Sequence, residues 1–142
     1  MPAPARLTAA FACLAVLLPI GACGGGSDEK KDVANAVHNI YNGLATKDAD
    51  KVCGSLSKKG KERVVRATGR PGRRASCEAV FRLGFRFSGK AFSGADRAKV
   101  TQVKIDGDRA IATVELRHDT GDVALVKEGG DWKLEDLQSS GS

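Results

Sequence analysis

The hydrophobic residues of this chain change their spacing along its length, and each spacing predicts a different kind of segment. A continuous, mostly apolar run of 14 residues covers 7–20, and a polar, glycine-rich stretch follows it. Over 32–45 the apolar residues recur every three or four positions, which predicts an amphipathic helix with Asp32 as its N-cap. Beyond residue 98 apolar and polar residues alternate, which is the period of half-buried strands.

Two further helices are predicted between these regions, and each begins where a side chain can cap it. Asp48 precedes a short segment over 49–56, and Ser76 precedes a second one. The residues expected to be buried are Val52, Cys53 and Leu56 in the first, and Cys77, Val80, Phe81 and Gly84 in the second.

The alternating region predicts four antiparallel strands joined by turns. The predicted strands cover 99–105, 109–118, 123–127 and 132–137, with turns at 106–108, 119–122 and 128–131. One face of the second strand presents Ala110, Ala112, Val114 and Leu116, and Ile111 and Thr113 lie on the other. Helices followed by a meander of strands predict a single α+β domain, with N-terminal helices packed on a four-stranded sheet.

The apolar run at the start of the chain is too short for a membrane-spanning helix, which needs about 20 apolar residues. One basic residue, Arg6, precedes it, so the run is typical of a signal peptide. The tetrapeptide Ile20-Gly21-Ala22-Cys23 resembles the bacterial lipobox, with isoleucine where leucine is usual. The resemblance implies cleavage after Ala22, a diacylglyceryl group on the Cys23 sulfur, and acylation of the new amine, for example by palmitate. An ordinary cleaved leader with a free Cys23, or an uncleaved short anchor, are the alternatives.

These assignments divide the chain into a leader over 1–22, a lipidated flexible tether over 23–31, a domain over 32–138 and a disordered tail over 139–142. They place the protein at the cell membrane, lipid-anchored on the extracytoplasmic face, because two or three acyl chains anchor stably. Loss of Arg6 with the leader lowers the net charge from +6 to +5. A basic surface tolerates anionic lipid and wall polymers as neighbours.

The four cysteines separate by position. Cys13 lies in the leader, Cys23 is the predicted lipidation site, and Cys53 and Cys77 remain as a pair. Export to an oxidising compartment favours a disulfide between these two. Two free thiols, or a metal pair, are the other interpretations. A metal site needs about four ligands, and only His38 and His118 could add to the pair.

The order of elements resembles the cystatin-like, cone-shaped family of nuclear transport factor and ketosteroid isomerase relatives. Bacterial lipoproteins of this type have stretches similar to 48–57, to Ser76-Cys77-Glu78, to the hairpin over 103–114 and to the last strand over 129–137. The resemblance covers 32–137 and implies a curved sheet wrapped over the first helix. The resulting cone would be lined by a candidate pocket of Val37, Ile40, Tyr41, Leu44, Phe81 and Phe85.

Enzymes of that family use a tyrosine and acidic residues inside the cone, and this chain does not match them. Tyr41 is its only tyrosine, and most acidic residues of the sheet region lie at predicted turns. Glu115, on the strand face opposite Val114, is the one candidate for an inward-facing acidic residue. We therefore predict that the protein is not an enzyme, with no catalytic residues, no metal site and no cofactor.

A strongly basic segment lies between the second and third predicted helices. Residues 58–74 contain eight basic side chains against one acidic side chain, Glu62. The candidate anion contacts are Lys58, Lys59, Lys61, Arg63, Arg66, Arg70, Arg73 and Arg74. They predict either a contact with anionic lipid or a wall polymer, or a solvated helix and loop that keeps the domain soluble.

The leading hypothesis is a membrane-anchored, non-enzymatic module that binds a small apolar ligand or serves as an interaction module. The alternative is an envelope contact protein that binds an anionic component through 58–74, and an isomerase or dehydratase is less favoured. One Trp, one Tyr and five Phe give little base-stacking surface, so nucleic acid is not an expected partner. Trp132 is expected to anchor the last strand against the first helix. The pattern leaves the oligomeric state open.

Overall fold

The computed structural model describes residues 25–68, 75–117 and 119–138, and it confirms the α+β class. The helices are α1 (Gly25–Thr46), α2 (Ala49–Ser55), α3 (Lys58–Ala67) and α4 (Cys77–Phe87), with a 3-10 turn at Ala95–Arg97. The strands are β1 (Lys99–Asp106), β2 (Arg109–Leu116), β3 (Asp119–Glu128) and β4 (Asp131–Gln138). The predicted leader, Cys23 and the predicted tail lie outside the described residues.

The first helix is longer than its apolar stripe indicates. It begins at Gly25 rather than at Asp32, so residues 25–31 of the predicted flexible tether are helical. The physical reason is a contact with a residue that is distant in the sequence. The Lys127 ammonium of β3 donates a hydrogen bond of 2.8 Å to the Glu29 carboxylate. The polar N-terminal part of α1 therefore contacts the sheet through a charged side chain rather than through buried apolar residues.

Two of the three predicted caps and the predicted disulfide are confirmed, whereas Asp32 lies inside α1 and is not its N-cap. Asp48 and Ser76 each accept a hydrogen bond from a backbone N–H in the first turn of α2 and α4. Cys53 of α2 and Cys77 of α4 form a disulfide with a Cα–Cα distance of 6.0 Å. The bond joins two helices that are separated along the chain by all of α3 and the loop after it.

The buried stripe of α4 differs in part from the prediction. Cys77 and Phe85 are buried and Phe81 is half-buried, so every fourth residue faces inward. Val80 is only half-buried and Gly84 is exposed, although the pattern placed both on the inner face. Apolar residues follow the outer side of this helix as well, and spacing alone could not decide which side packs.

The sheet is a meander in the order β1-β2-β3-β4. The predicted hairpin at 106–108 is confirmed, because Asp106 of β1 pairs with Arg109 of β2. The predicted turn at 119–122 is wrong, since those residues begin β3. The chain reverses instead between Leu116 and Asp119, which pair across the strands, and Arg117 in this interval has φ 60°. Asp122 then pairs across the strands with Thr113, whose hydroxyl donates a 2.8 Å hydrogen bond to its carboxylate.

The core lies between α1 and one face of the sheet. It contains Val33, Val37 and Ile40 of α1. The other buried members come from α2 and its C-cap, from α4, from the turn before β1 and from the sheet: Cys53, Leu56, Cys77, Ala98, Ala110, Ala112, Val114, Val123, Leu125, Trp132 and Leu134. A second cluster of Ala49, Val52 and Phe85 joins α2 to α4. Trp132 packs in the same cluster as the apolar stripe of α1, as expected from the sequence.

The helix α3 covers the outer edge of β4. The Ser57 N–H donates a 2.9 Å hydrogen bond to the Leu134 carbonyl, and Leu56 forms a parallel bridge with the same residue. Gly60 packs so closely that a Cβ atom built there would lie 2.7 Å from the Leu134 oxygen. The first part of the basic segment therefore forms α3, which packs against the edge of the sheet.

Candidate functional site

An apolar pocket of about 320 Å³ lies where the helices meet β4. Its walls are Ile40, Leu44, Val52, Leu56, Gly60, Arg63, Val64, Phe81, Phe92, Leu134, Glu135 and Asp136. Three of these residues are charged and the rest carry hydrocarbon or aromatic side chains or are glycine. The volume is at the lower end of the range found for small-molecule sites.

Three of the six predicted pocket residues line this space. Ile40 and Leu44 come from α1 and Phe81 comes from α4. Ile40 is only 2 % exposed, so its side chain forms the floor, whereas Leu44 and Phe81 are half-buried. The helical spacing that predicted these positions is the reason that they converge.

The other three predicted residues lie elsewhere in the interior. Val37 is fully buried in the main core. Tyr41 packs against the same core, and burial raises the pKa of its phenol, which keeps it neutral. Phe85 belongs to the second cluster, with its ring centroid 5.7 Å from those of both Phe81 and Phe92.

Several lining residues had no assigned role in the sequence pattern. Val64 stands in the basic segment, Leu134 in the last strand, and Phe92 in a turn region without any periodicity. Phe92 stacks edge-on against Phe85 at an interplanar angle of 89°. No local signal could assign Phe92 to the pocket, because its contact depends on how the chain returns from α4 to β1.

Charged pairs between α3 and β4 border the pocket. The Lys59 ammonium donates a 2.6 Å hydrogen bond to Glu135, and the Arg109 guanidinium lies 3.7 Å from the other carboxylate oxygen. The Lys59 contact holds the pKa of the Glu135 carboxyl below its ordinary value. Arg63 forms an ion pair with Asp136. Both acidic residues of this edge are therefore matched by bases of α3.

The predicted anion surface is divided by these contacts. Lys58, Lys59, Lys61, Arg63 and Arg66 all lie on α3, whereas Arg70, Arg73 and Arg74 lie outside the described residues. Lys59 and Arg63 are paired with acidic residues of β4. Within the described ranges the side chains of Lys58, Lys61 and Arg66 form no ion pair. Fewer basic side chains of α3 are thus left unpaired for an anionic partner than the sequence count indicates.

A polar groove of about 450 Å³ lies beside α1 at the turn between β3 and β4. It is lined on the α1 side by Asp32, Asn35 and Asn39 and on the strand side by Asp131 and Trp132. The Trp132 ring is buried, and its Nε1 has no hydrogen-bond acceptor among the described residues. Lys127 lies 5.5 Å from the ring centroid, within cation–π range.

Among the described residues, the remaining sequence candidates for chemistry form no common site. His38 is exposed on α1, and His118 lies outside the described residues. Ser57 is buried and caps α3, and the Ser55 hydroxyl donates to the Lys51 carbonyl. Within the described ranges, no group of three or more His, Cys, Asp or Glu residues could hold a metal ion. No helix in those ranges is long and apolar enough to span a bilayer.

Comparisons with protein-family models, with curated proteins and with solved structures found no match to this chain.

Proposed function

We propose that this protein is an exported lipoprotein whose folded head binds a small apolar ligand in the pocket between its helices and β4. The observation that carries the proposal is the pocket of about 320 Å³, because eight of its twelve lining residues carry aliphatic or aromatic side chains. Burial of apolar surface stabilises such a complex by about 25 cal/mol per Å².

The tether is proposed from the sequence. The lipobox-like Ile20-Gly21-Ala22-Cys23 ends two residues before α1 begins at Gly25. A lipid on Cys23 would hold the head close to the extracytoplasmic membrane surface. Intact mass of the protein from a membrane fraction tests this: residues 23–142 plus acyl groups are expected. The mass of the full chain, or of residues 23–142 without acyl groups, would contradict the tether.

The resemblance to the cone-shaped family supports the same proposal. Helices packed on one face of a curved antiparallel sheet are the architecture that the resemblance implies. In this chain the space between them is mostly filled by side chains, and the pocket is displaced toward α3 and α4. The family relationship is itself part of the proposal.

An uncharged apolar fluorophore, N-phenyl-1-naphthylamine, tests the pocket directly. We expect saturable binding with enhanced emission, and little change at high salt, since the probe has no charge. Val64→Phe fills the pocket from α3, and it is expected to weaken binding at least about tenfold, a loss of about 1.4 kcal/mol. Far-ultraviolet circular dichroism of the variant checks that the fold is kept.

The matched control is Leu83→Ser, which removes an exposed apolar side chain that does not line this pocket. Binding to this variant should equal that of the parent. The pocket proposal would be wrong if Leu83→Ser abolished binding and Val64→Phe did not.

A second candidate function is the contact with an anionic polymer or lipid through residues 58–74. The observation that favours it is that Lys58, Lys61 and Arg66 of α3 form no ion pair within the described residues. Such a contact would weaken steeply as salt rises, unlike binding in the pocket. Replacement of Arg70, Arg73 and Arg74 by glutamine should weaken it and leave the fluorophore binding unchanged.

A further inference from the structure

The outer face of α4 is apolar and exposed in a way that the fold does not explain. Phe87 is 82 % exposed and Leu83 is 53 % exposed. With Ala79 and Val80 they follow one side of the helix and border a groove of about 480 Å³. We call these four residues the α4 ridge. Large exposed apolar patches on soluble domains mark interaction sites.

The ridge is separate from the packing that holds α4 in the domain. Cys77, Phe81 and Phe85 on the opposite side of the helix already provide the disulfide and the contacts with the core. The residues that line the ridge groove are also distinct from those that line the proposed pocket. A partner could therefore cover the ridge without changing the pocket.

Basic side chains stand next to the ridge. Arg82 and Arg86 are exposed on the same helix, and Arg66 is exposed on the neighbouring α3. Arg82 contacts Asp50 at 3.1 Å, but both side chains remain largely exposed. A helix that presents phenylalanine and leucine between arginines is typical of segments that lie in the plane of a membrane surface.

We propose that the α4 ridge docks onto an anionic lipid bilayer, with Leu83 and Phe87 in the interfacial layer and the arginines at the phosphates. Charge decides between this partner and a second copy of the chain. Two-fold pairing through the ridge would bring Arg82 and Arg86 near the same residues of the other copy. An anionic surface instead attracts them. The proposal depends on the proposed tether in one respect: the acyl chains on Cys23 would keep the domain close to the bilayer.

A tryptophan at the tip of the ridge reports insertion. The full chain is prepared as Phe87→Trp and mixed with phosphatidylcholine–phosphatidylglycerol vesicles that contain brominated lipid, which quenches tryptophan on contact. The matched control is Ile111→Trp, on the outer face of the sheet at a residue that is 37 % exposed. Trp132 is present in both variants and provides the same background.

The expected result is a blue shift and loss of emission for the tryptophan at 87, and neither for that at 111. Arg86→Gln in the Phe87→Trp background should lower the binding constant for anionic vesicles about fivefold, since one basic residue near such a surface contributes that factor. The reduction should be absent in pure phosphatidylcholine. Equal quenching at 87 and 111, or none at either, would overturn the proposal.

Two further results separate the ridge from the other proposals. A blue shift at 87 that depends on protein concentration and needs no vesicles would show self-association, and would overturn lipid docking. Protein that sediments with vesicles through its acyl chains but shows no quenching at 87 would also overturn the ridge and leave the tether intact. Quenching at 87 in protein without acyl mass would support the ridge and contradict the tether.

Discussion

At the scale of single residues, Glu135 shows how position changes the role of a carboxylate. Its side chain is 9 % exposed, on the outer edge of the sheet where an acidic residue is ordinarily solvated. The Lys59 ammonium and the Arg109 guanidinium lie beside its two carboxylate oxygens. These positive charges, Lys59 above all, favour the charged carboxylate and lower its pKa. A nearly buried charge needs such partners, because its desolvation would otherwise be costly.

Glu135→Gln should therefore destabilise the domain at neutral pH, by about 1–3 kcal/mol for the loss of a charge-assisted hydrogen bond. The folded-state pKa of Glu135 is lowered, so its contribution is present above the ordinary carboxyl pKa of about 4.3 and is lost as the pH falls through the folded value. Urea unfolding at a series of pH values measures this. The difference between parent and variant should shrink below about pH 4.3.

Asp50→Asn is the control for this measurement. It breaks the ion pair with Arg82, in which the two side chains are 74 % and 64 % exposed. Exposed pairs contribute at most about 1 kcal/mol, so this variant should differ little from the parent. An equal effect of the two substitutions would contradict the special role of Glu135.

At the scale of elements, the contact between α3 and the edge of β4 determines the shape of the pocket on that side. The register of β4 against β3 passes from Asp136 directly to Leu134, so Glu135 is the extra residue of a β-bulge. Bulges redirect a side chain at a sheet edge, and here the redirected carboxylate meets Lys59 of α3. The close approach of Gly60 to the Leu134 carbonyl completes this contact.

Gly60→Ala tests the closeness of that approach. The added Cβ would meet a backbone oxygen at 2.7 Å, which cannot move without shifting β4. We expect a destabilisation of about 1–3 kcal/mol, the usual cost of overpacking, measured by urea unfolding. Gly54→Ala is the matched control, since nothing lies within 4 Å of its Cβ position and alanine favours a helix by up to about 1 kcal/mol. Similar values for both variants would contradict the packing argument.

At the scale of the whole molecule, the disulfide joins two parts of one continuous interior. The main core and the cluster of Ala49, Val52 and Phe85 share Leu44 and Phe81 as partly buried neighbours. Cys53 and Cys77 tie α2 to α4 beside this junction, across a sequence separation of 24. The bond limits the freedom of the unfolded chain around α3 and the basic loop.

Reduction should lower the free energy of unfolding by about 3–4 kcal/mol, on the chain-entropy account of a loop of this length. Urea unfolding followed by Trp132 fluorescence, with and without a phosphine reductant, measures the change. The double variant Cys53→Ala, Cys77→Ala should be less stable than the oxidised parent and insensitive to the reductant. Alkylation of either cysteine in the parent before reduction would contradict the bond.

Sequence reasoning predicted those features that depend on near neighbours along the chain. Asp48 and Ser76 cap helices because a cap is completed within the first turn. Ala110, Ala112 and Val114 face the core because alternation assigns one face of a strand. With Cys13 in the predicted leader and Cys23 at the predicted lipidation site, the remaining pair of cysteines indicated the disulfide from position alone.

The tertiary structure decided what depends on contacts between distant segments. The early start of α1 follows from Glu29 meeting Lys127, and the pocket follows from α3 closing on β4 through Gly60. The two sides of α4 are both apolar, so its sequence could not show that Phe85 would be buried and Phe87 exposed. The hydrophobic effect favours burial of either apolar face of a helix equally, so the arrangement of the surrounding elements determines which face is covered and which stays exposed.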